Sequence, residues 1–200
     1  MKRTFDILLS SIGLLLSAPL WAIIMLRIKF EDEGPLFYFQ ERVGKDGRIF
    51  EVIKFRSMFV DAEKKTGPIQ ATEHDPRVTR IGRILRKTAM DELPQLINIW
   101  KGDMSFVGPR ALRPEEKEVR GDSSSVDISS ISGYEGRLAV TPGLTGLAQI
   151  YLPADALRRN KFRYDLMYIK NRSFCFDLKL VFLSFWITFR GKWESGEKKI

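Results

Sequence analysis

Two hundred residues suffice for one ordinary domain, or for a domain plus an anchor. With 44% apolar and 29% charged residues the chain can bury a core, so disorder is not the default, and 33 Lys and Arg against 25 Asp and Glu leave a formal +8 that calls for an acidic partner: nucleic acid, an anionic membrane surface or a phosphorylated substrate. One cysteine, Cys175, and one histidine, His74, exclude an internal disulfide, a cysteine metal cluster and histidine-rich zinc sites, fit a reducing cytosolic setting, and leave any chemistry to carboxylates, Lys, Arg and backbone groups.

The first predicted element is the uncharged run ILLSSIGLLLSAPLWAIIML, from Ile7 to Leu26. As a helix it covers about 30 Å, the thickness of a bilayer core. RIKFEDEG follows it, which is no signal-peptide cleavage site. Lys2 and Arg3 precede the run and Arg27 and Lys29 follow it, so both flanks ask for the cytoplasmic side. Pro19 near the middle removes a backbone donor and favours a kink, with Ser17 placed to bond a freed carbonyl. These features favour a bent, re-entrant helix over residues 1–30, with an ordinary kinked spanning helix as the alternative.

Beyond it the reading is α+β and predominantly helical, a compact cytosolic domain over residues 31–200. LFYFQ and IFEVIKF read as a small antiparallel hairpin around an Asp46-Gly47 turn. A long loop is expected from Thr66 to Pro76, including His74. VTRIGRILRKT reads as a helix with Val78, Ile81, Ile84 and Leu85 on one face. Leu93, Leu96, Ile97 and Trp100 mark another, stopping near Lys101-Gly102. Arg120 to Gly133 reads as a surface loop and TPGLTG as a rigid turn. RRNKFRYDLMYIKNR reads as a basic helix, and FDLKLVFLSFWITFR as a helix that either lies at the membrane interface through Phe182, Phe185, Trp186 and Phe189 or fills the core. Cys175, at its start, is expected to be buried.

The sharpest local feature is TAMDELPQL. Asp91 and Glu92 at a helix start with Pro94 suit plain capping of free N–H groups. Arg83, Arg86 and Lys87 upstream, Asp103 and Arg110 downstream, and Lys54 and Arg56 in IKFRSM also suit phosphoryl transfer. There carboxylates hold magnesium or attack phosphorus, and guanidiniums bind phosphate oxygens. A catalytically silent basic adaptor at the membrane would tolerate loss of both carboxylates. A nucleic-acid binder would not need the apolar run, and no nucleic-acid partner is expected.

FDILLSSIGLLLSAPLW, FQERVGKDGRIFEVIKFRSM, DPRVTRIGRILRKTAMDELPQLINIWKGDMSFVGPR and TPGLTGLAQ together resemble the bacterial sugar transferase family, the small monotopic phosphoglycosyl transferases. The resemblance implies transfer of a phosphosugar from a UDP-sugar to polyprenol phosphate, usually undecaprenyl phosphate, with release of UMP and use of Mg2+, at the cytoplasmic face of the bacterial inner membrane, to start glycan assembly. It implies that Asp91 forms a covalent phosphosugar intermediate and that Glu92 assists, with both as metal ligands. Lys54, Arg56, Arg86 and Arg110 become phosphate-binding candidates, and Gln149, Arg158 and Arg159 candidates for the pocket. It also implies a re-entrant helix broken near its proline. The chain departs from the family pattern at Thr141, where a basic residue is usual, at Ala111, and in IYLPADALRRN, positions that bear on donor-sugar recognition. Membrane lipid is a further expected partner, and a homodimer is among the oligomeric options.

Overall fold

The structure is a computed structural model that describes residues 1–62, 75–119 and 125–193. His74 and the Thr66-Gly67-Pro68 part of the expected loop lie outside the described residues. In chain order the elements are α1 (Lys2–Glu31), β1 (Phe37–Val43), β2 (Ile49–Phe55), α2 (Arg80–Lys87), α3 (Gln95–Lys101), β3 (Ser105–Val107), β4 (Lys117–Val119), β5 (Ser125–Asp127), α4 (Tyr134–Arg137), β6 (Gly143–Thr145), α5 (Leu147–Tyr151), α6 (Arg158–Asn171) and α7 (Phe174–Arg190). It is a mixed fold dominated by helices, with small two-stranded sheets.

Helix α1 contains the whole apolar run and passes through Pro19 without leaving helical geometry. By length and composition it could cross a membrane. Ser17 Oγ donates to the Leu14 carbonyl at 3.5 Å. Both ends of α1 are tied to the same body of the protein. At the N-terminal end, Arg3 donates to the Ile99 and Trp100 carbonyls at the end of α3, at 2.6 and 2.7 Å, and Lys2 pairs with Asp177 of α7 at 2.5 Å. By its place in the sequence Asp6 reads as a cap of α1 or a partner of Arg3 or Lys2; instead one of its oxygens accepts from the Ser105 hydroxyl and the Phe106 N–H, both at 3.1 Å. At the C-terminal end, Glu31 accepts from the Arg80 and Ile81 N–H groups, which caps the positive end of α2.

The helix also enters two cores. Ile24 and Ile28 pack with Phe55 and Leu85, while Leu9 and Leu14 lean on the main cluster around Leu96, Ile99, Phe106 and Leu180. Full burial of each such side chain is worth about 1.5–3 kcal/mol. The opposite face, with Leu8, Ile12, Leu15, Leu16, Ile23 and Leu26, is exposed. Helix α7 is divided the same way: Leu180 and Ile187 are buried, whereas Phe182, Phe185, Trp186 and Phe189 are exposed. The core reading describes its buried face, and the four aromatic side chains form an exposed one.

The hairpin forms as expected, with Phe37 opposite Phe55 and Val43 opposite Ile49, and Asp46 and Gly47 both at positive φ in its turn. Helix α2 begins later than its apolar pattern suggests, because Thr79 caps it by accepting from the Gly82 N–H at 2.9 Å. Val78 therefore pairs with Met58 outside the helix, and Ile84 is 59% exposed. Helix α3 stops at Gly102, whose φ of +104° suits a residue without Cβ.

Two expectations need correction. TPGLTG is more than a turn: Gly143–Thr145 forms β6, parallel to β3. The strands approach so closely that a Cβ on Gly143 would lie 2.0 Å from the Gly108 nitrogen. Within the expected loop from Arg120 to Gly133, Ser125–Asp127 forms β5, antiparallel to β4, and Ile128–Ser130 forms a short 3-10 turn. Hydrogen bonding to Lys117–Val119, a partner upstream of the polar run, overrides that local signal.

Candidate active site

Asp91 and Glu92 sit in a short 3-10 turn, Met90–Glu92, between α2 and α3. They precede α3 rather than capping its first turn. Ala89 just before them has φ +55°, a left-handed conformation that disfavours side chains and recurs where function over-determines the backbone. Both carboxylates line a cavity of about 1090 Å³.

Lys54 reaches the dyad from β2. The edge of that strand is held by Asn98, a buried α3 residue that donates to the Glu51 carbonyl at 2.7 Å and accepts from the Ile53 N–H at 3.1 Å. Arg110 reaches it from the segment after β3. Glu92 Oε1 accepts from Lys54 Nζ at 2.5 Å and from Arg110 Nη2 at 2.9 Å. Asp91 is 7% exposed and lines the cavity, yet among the described residues no hydrogen bond reaches its carboxylate.

The two neighbours therefore differ in acidity. Burial raises the Asp91 pKa and outweighs the lowering by Lys54, and the Glu92 charge raises it further. Burial also pushes Glu92 up, but Arg110 and Lys54 together overcome it and hold Glu92 well below the usual carboxylate range. Burial lowers Lys54, against the pull of Glu92, and the Glu92 charge raises Arg110.

The structure brings Lys54 and Arg110 onto Glu92. Arg86 lines the same cavity, and its charge favours the ionised form of Asp91. Arg56 lines the cavity as well, but its Nη2 is paired with Asp32, and among the described residues its buried Nε and Nη1 have no partner. Gln149 is a wall residue whose Nε2 donates to the Leu144 carbonyl at 3.0 Å. Arg158 lines the far wall and pairs with Glu116; Arg159 is exposed and takes no part in the lining. Cys175, expected to be buried, is exposed, because its position in α7 faces away from the core.

Arg42, Arg137 and Asp165 also line the cavity and were not singled out by sequence reasoning. Burial, helped by Arg110, pushes Arg42 down to about 10, still cationic at neutral pH. For Arg42 the FQERVG motif carried a signal; for the Arg137–Asp165 pair no local pattern does. The cavity wall also includes apolar side chains: Leu9, Ile12, Leu16 and Leu20 of α1 and Val181 and Phe185 of α7.

The site thus sets two carboxylates among cations beside the apolar helix α1. The sequence pattern of bacterial sugar transferases matches residues 1–191, and the chain belongs to that family of transferases. It is 39% identical over 195 residues to the exopolysaccharide production protein ExoY of Rhizobium meliloti, covering 90% of this chain and 82% of that protein. It is 42% identical over 189 residues to the UDP-glucose:undecaprenyl-phosphate glucose-1-phosphate transferase of Escherichia coli, covering 92% of this chain. It is 41% identical over 184 residues to the UDP-N-acetylgalactosamine-undecaprenyl-phosphate N-acetylgalactosaminephosphotransferase of Aeromonas hydrophila, covering 90% of this chain. The chain spans only 39% and 42% of the lengths of these last two relatives.

Proposed function

We propose that this protein transfers a sugar 1-phosphate from a UDP-sugar to polyprenol phosphate, in the first instance undecaprenyl phosphate, and so starts assembly of a surface glycan. The observation that carries this reading is the pair of unlike carboxylates. Glu92 is locked by Lys54 and Arg110, while Asp91 lies beside it unbonded among the described residues, lining a cavity walled by cations and by apolar side chains.

In the first step an Asp91 carboxylate oxygen attacks the phosphorus bonded to the sugar. The bond from that phosphorus to the bridging oxygen breaks, and UMP leaves with the electron pair. In the second step a phosphate oxygen of the lipid attacks the same phosphorus, and the acyl phosphate bond breaks to restore Asp91. Lys54, Arg86 and Arg110 offset charge on the transferring group. The apolar side chains of α1 and α7 suit the lipid chain, and the cations suit its phosphate.

Mg2+ fits this donor set. Magnesium keeps several waters and needs only one or two protein carboxylates beside substrate phosphates. Asp91 and the second oxygen of Glu92 would hold it, since both cations sit on Glu92 Oε1 and, among the described residues, Oε2 accepts nothing. When bound it neutralises phosphate charge and polarises the phosphorus–oxygen bonds.

The protein works at the cytoplasmic face of the inner membrane, with α1 entering and leaving one leaflet. Ties from both ends of α1 to α2, α3 and α7 support that topology, because a helix crossing to the far side would release one set. Relatives named for glucose and for N-acetylgalactosamine transfer leave the donor sugar to experiment. The test is UMP release over a panel of UDP-sugars with undecaprenyl phosphate. Wild type is expected to turn over at least one donor and Asp91→Asn none; turnover by Asp91→Asn at the wild-type rate would overturn the assignment.

A further inference from the structure

The segment that carries Arg110 belongs to no helix or long strand, yet four consecutive carbonyls in it each have a donor. Pro109 accepts from the Gly143 N–H at 2.9 Å and Leu112 from the Val43 N–H at 2.8 Å. Between them the donors are side chains. Arg137 Nη2 donates to the Arg110 carbonyl at 2.6 Å, and Arg42 Nη1 to the Ala111 carbonyl at 3.1 Å.

Arg137 is itself fixed on several sides. Its side chain and that of Asp165 are each 4% exposed, and they are joined through Nε at 3.1 Å and Nη2 at 3.0 Å. The Phe162 ring lies 4.7 Å from its guanidinium carbon, and Phe162 is buried. Arg42 is held at its other nitrogen by the Gln40 side chain. A buried ion pair adds little net stability compared with apolar packing, whereas it fixes geometry well. Here what it fixes is the main chain of the residue whose own side chain is 44% exposed and sits on Glu92.

We propose that Arg137, anchored by Asp165, and Arg42 are positioning residues for the transfer reaction: they clamp the Arg110 and Ala111 carbonyls so that Arg110 meets Glu92 and the transferring phosphate in one fixed pose. The proposal rests on the reading of the site given above. Without the clamp the segment keeps its two backbone bonds but is free to pivot between them, and Arg110 samples poses away from the dyad. A misplacement of about 1 Å at such a group lowers turnover about 100-fold.

The test is a double-mutant cycle on the full chain in detergent, read as steady-state UMP release with the best donor and undecaprenyl phosphate. Arg137→Gln should lower kcat about 100-fold with a smaller change in donor KM. In an Arg110→Ala background the same change should cost less than about twofold, because its effect passes through Arg110. A merely structural role would lower activity by the same factor in both backgrounds, and that result, or an Arg137→Gln kcat within twofold of wild type, overturns the clamp. If Arg137→Gln does not fold, Arg42→Lys run through the same cycle decides it: coupling to Arg110 supports the clamp and independence overturns it. Wild type silent on every donor would instead sink the reading of the site, a result separable from an active wild type whose variants act independently.

Discussion

Two clusters of buried charge, one at the start of α1 and one at the cavity, are satisfied to different degrees. At the start of α1, Asp177 accepts from Lys2 and from the Tyr168 hydroxyl, which lies 2.7 Å away, and Asp6 accepts twice through one oxygen. At the cavity, Glu92 is bonded as fully, but its neighbour Asp91 is left with no hydrogen bond among the described residues. The first arrangement pins a helix to a domain. The second leaves a buried carboxylate at a cost that a merely structural site would not retain. On the proposed reading, the difference separates charges that hold the fold from the charge that would attack phosphorus.

After Asp91→Asn, breaking the satisfied half of the dyad should have the largest effect. Glu92→Gln removes the negative partner of Lys54 and Arg110, and UMP release should fall about 100-fold, the scale of losing one preorganised electrostatic contact. A rate within about threefold of wild type would mean that Glu92 only fills space. Next comes the structural cluster. Asp6→Ala strands the buried Phe106 N–H and should lower unfolding stability by about 1–3 kcal/mol, read as a lower Tm. Asp6→Asn keeps the accepting oxygen and should lose less stability than Asp6→Ala. Equal losses in both variants would show that the charge of Asp6, rather than its hydrogen bonds, holds α1.

The smallest expected effect is on pH dependence. Asp91 attacks only as the carboxylate, so activity falls as pH drops through its pKa, and burial places that limb above the ordinary 3.8. Glu92, held low by Arg110 and Lys54, stays ionised across the same range and adds no second limb. Glu92→Gln removes a charge that raises Asp91 and leaves two cations uncompensated, so the limb should move to lower pH. A limb that moves up instead would contradict the coupling between the two carboxylates.

Most of this contrast is local in the sequence and could be read there. The dyad, Lys54, Arg110, the hairpin and the apolar run are all carried by short motifs or by periodicity. What could not be read depends on distant partners. Gly143–Thr145 becomes a strand only because Ser105–Val107 lies beside it, 38 residues upstream in the pairing of Ser105 with Gly143. Asp6 reads as a helix cap until Ser105 and Phe106 come within reach. Arg137 looks like surface charge, since nothing local distinguishes a buried arginine from a solvated one. Arg56 and Arg159 show the converse: both read as site cations, but one is tied to Asp32 and the other faces solvent.

The central claim, that Asp91 is the open charge and therefore the nucleophile, is tested most directly by intact mass. Wild type incubated with its UDP-sugar and Mg2+, without lipid acceptor, should gain the mass of one phosphosugar, located on the peptide that contains Asp91 and discharged by added undecaprenyl phosphate. Asp91→Asn should gain nothing. An adduct on another residue, or the same adduct on Asp91→Asn, would contradict the account.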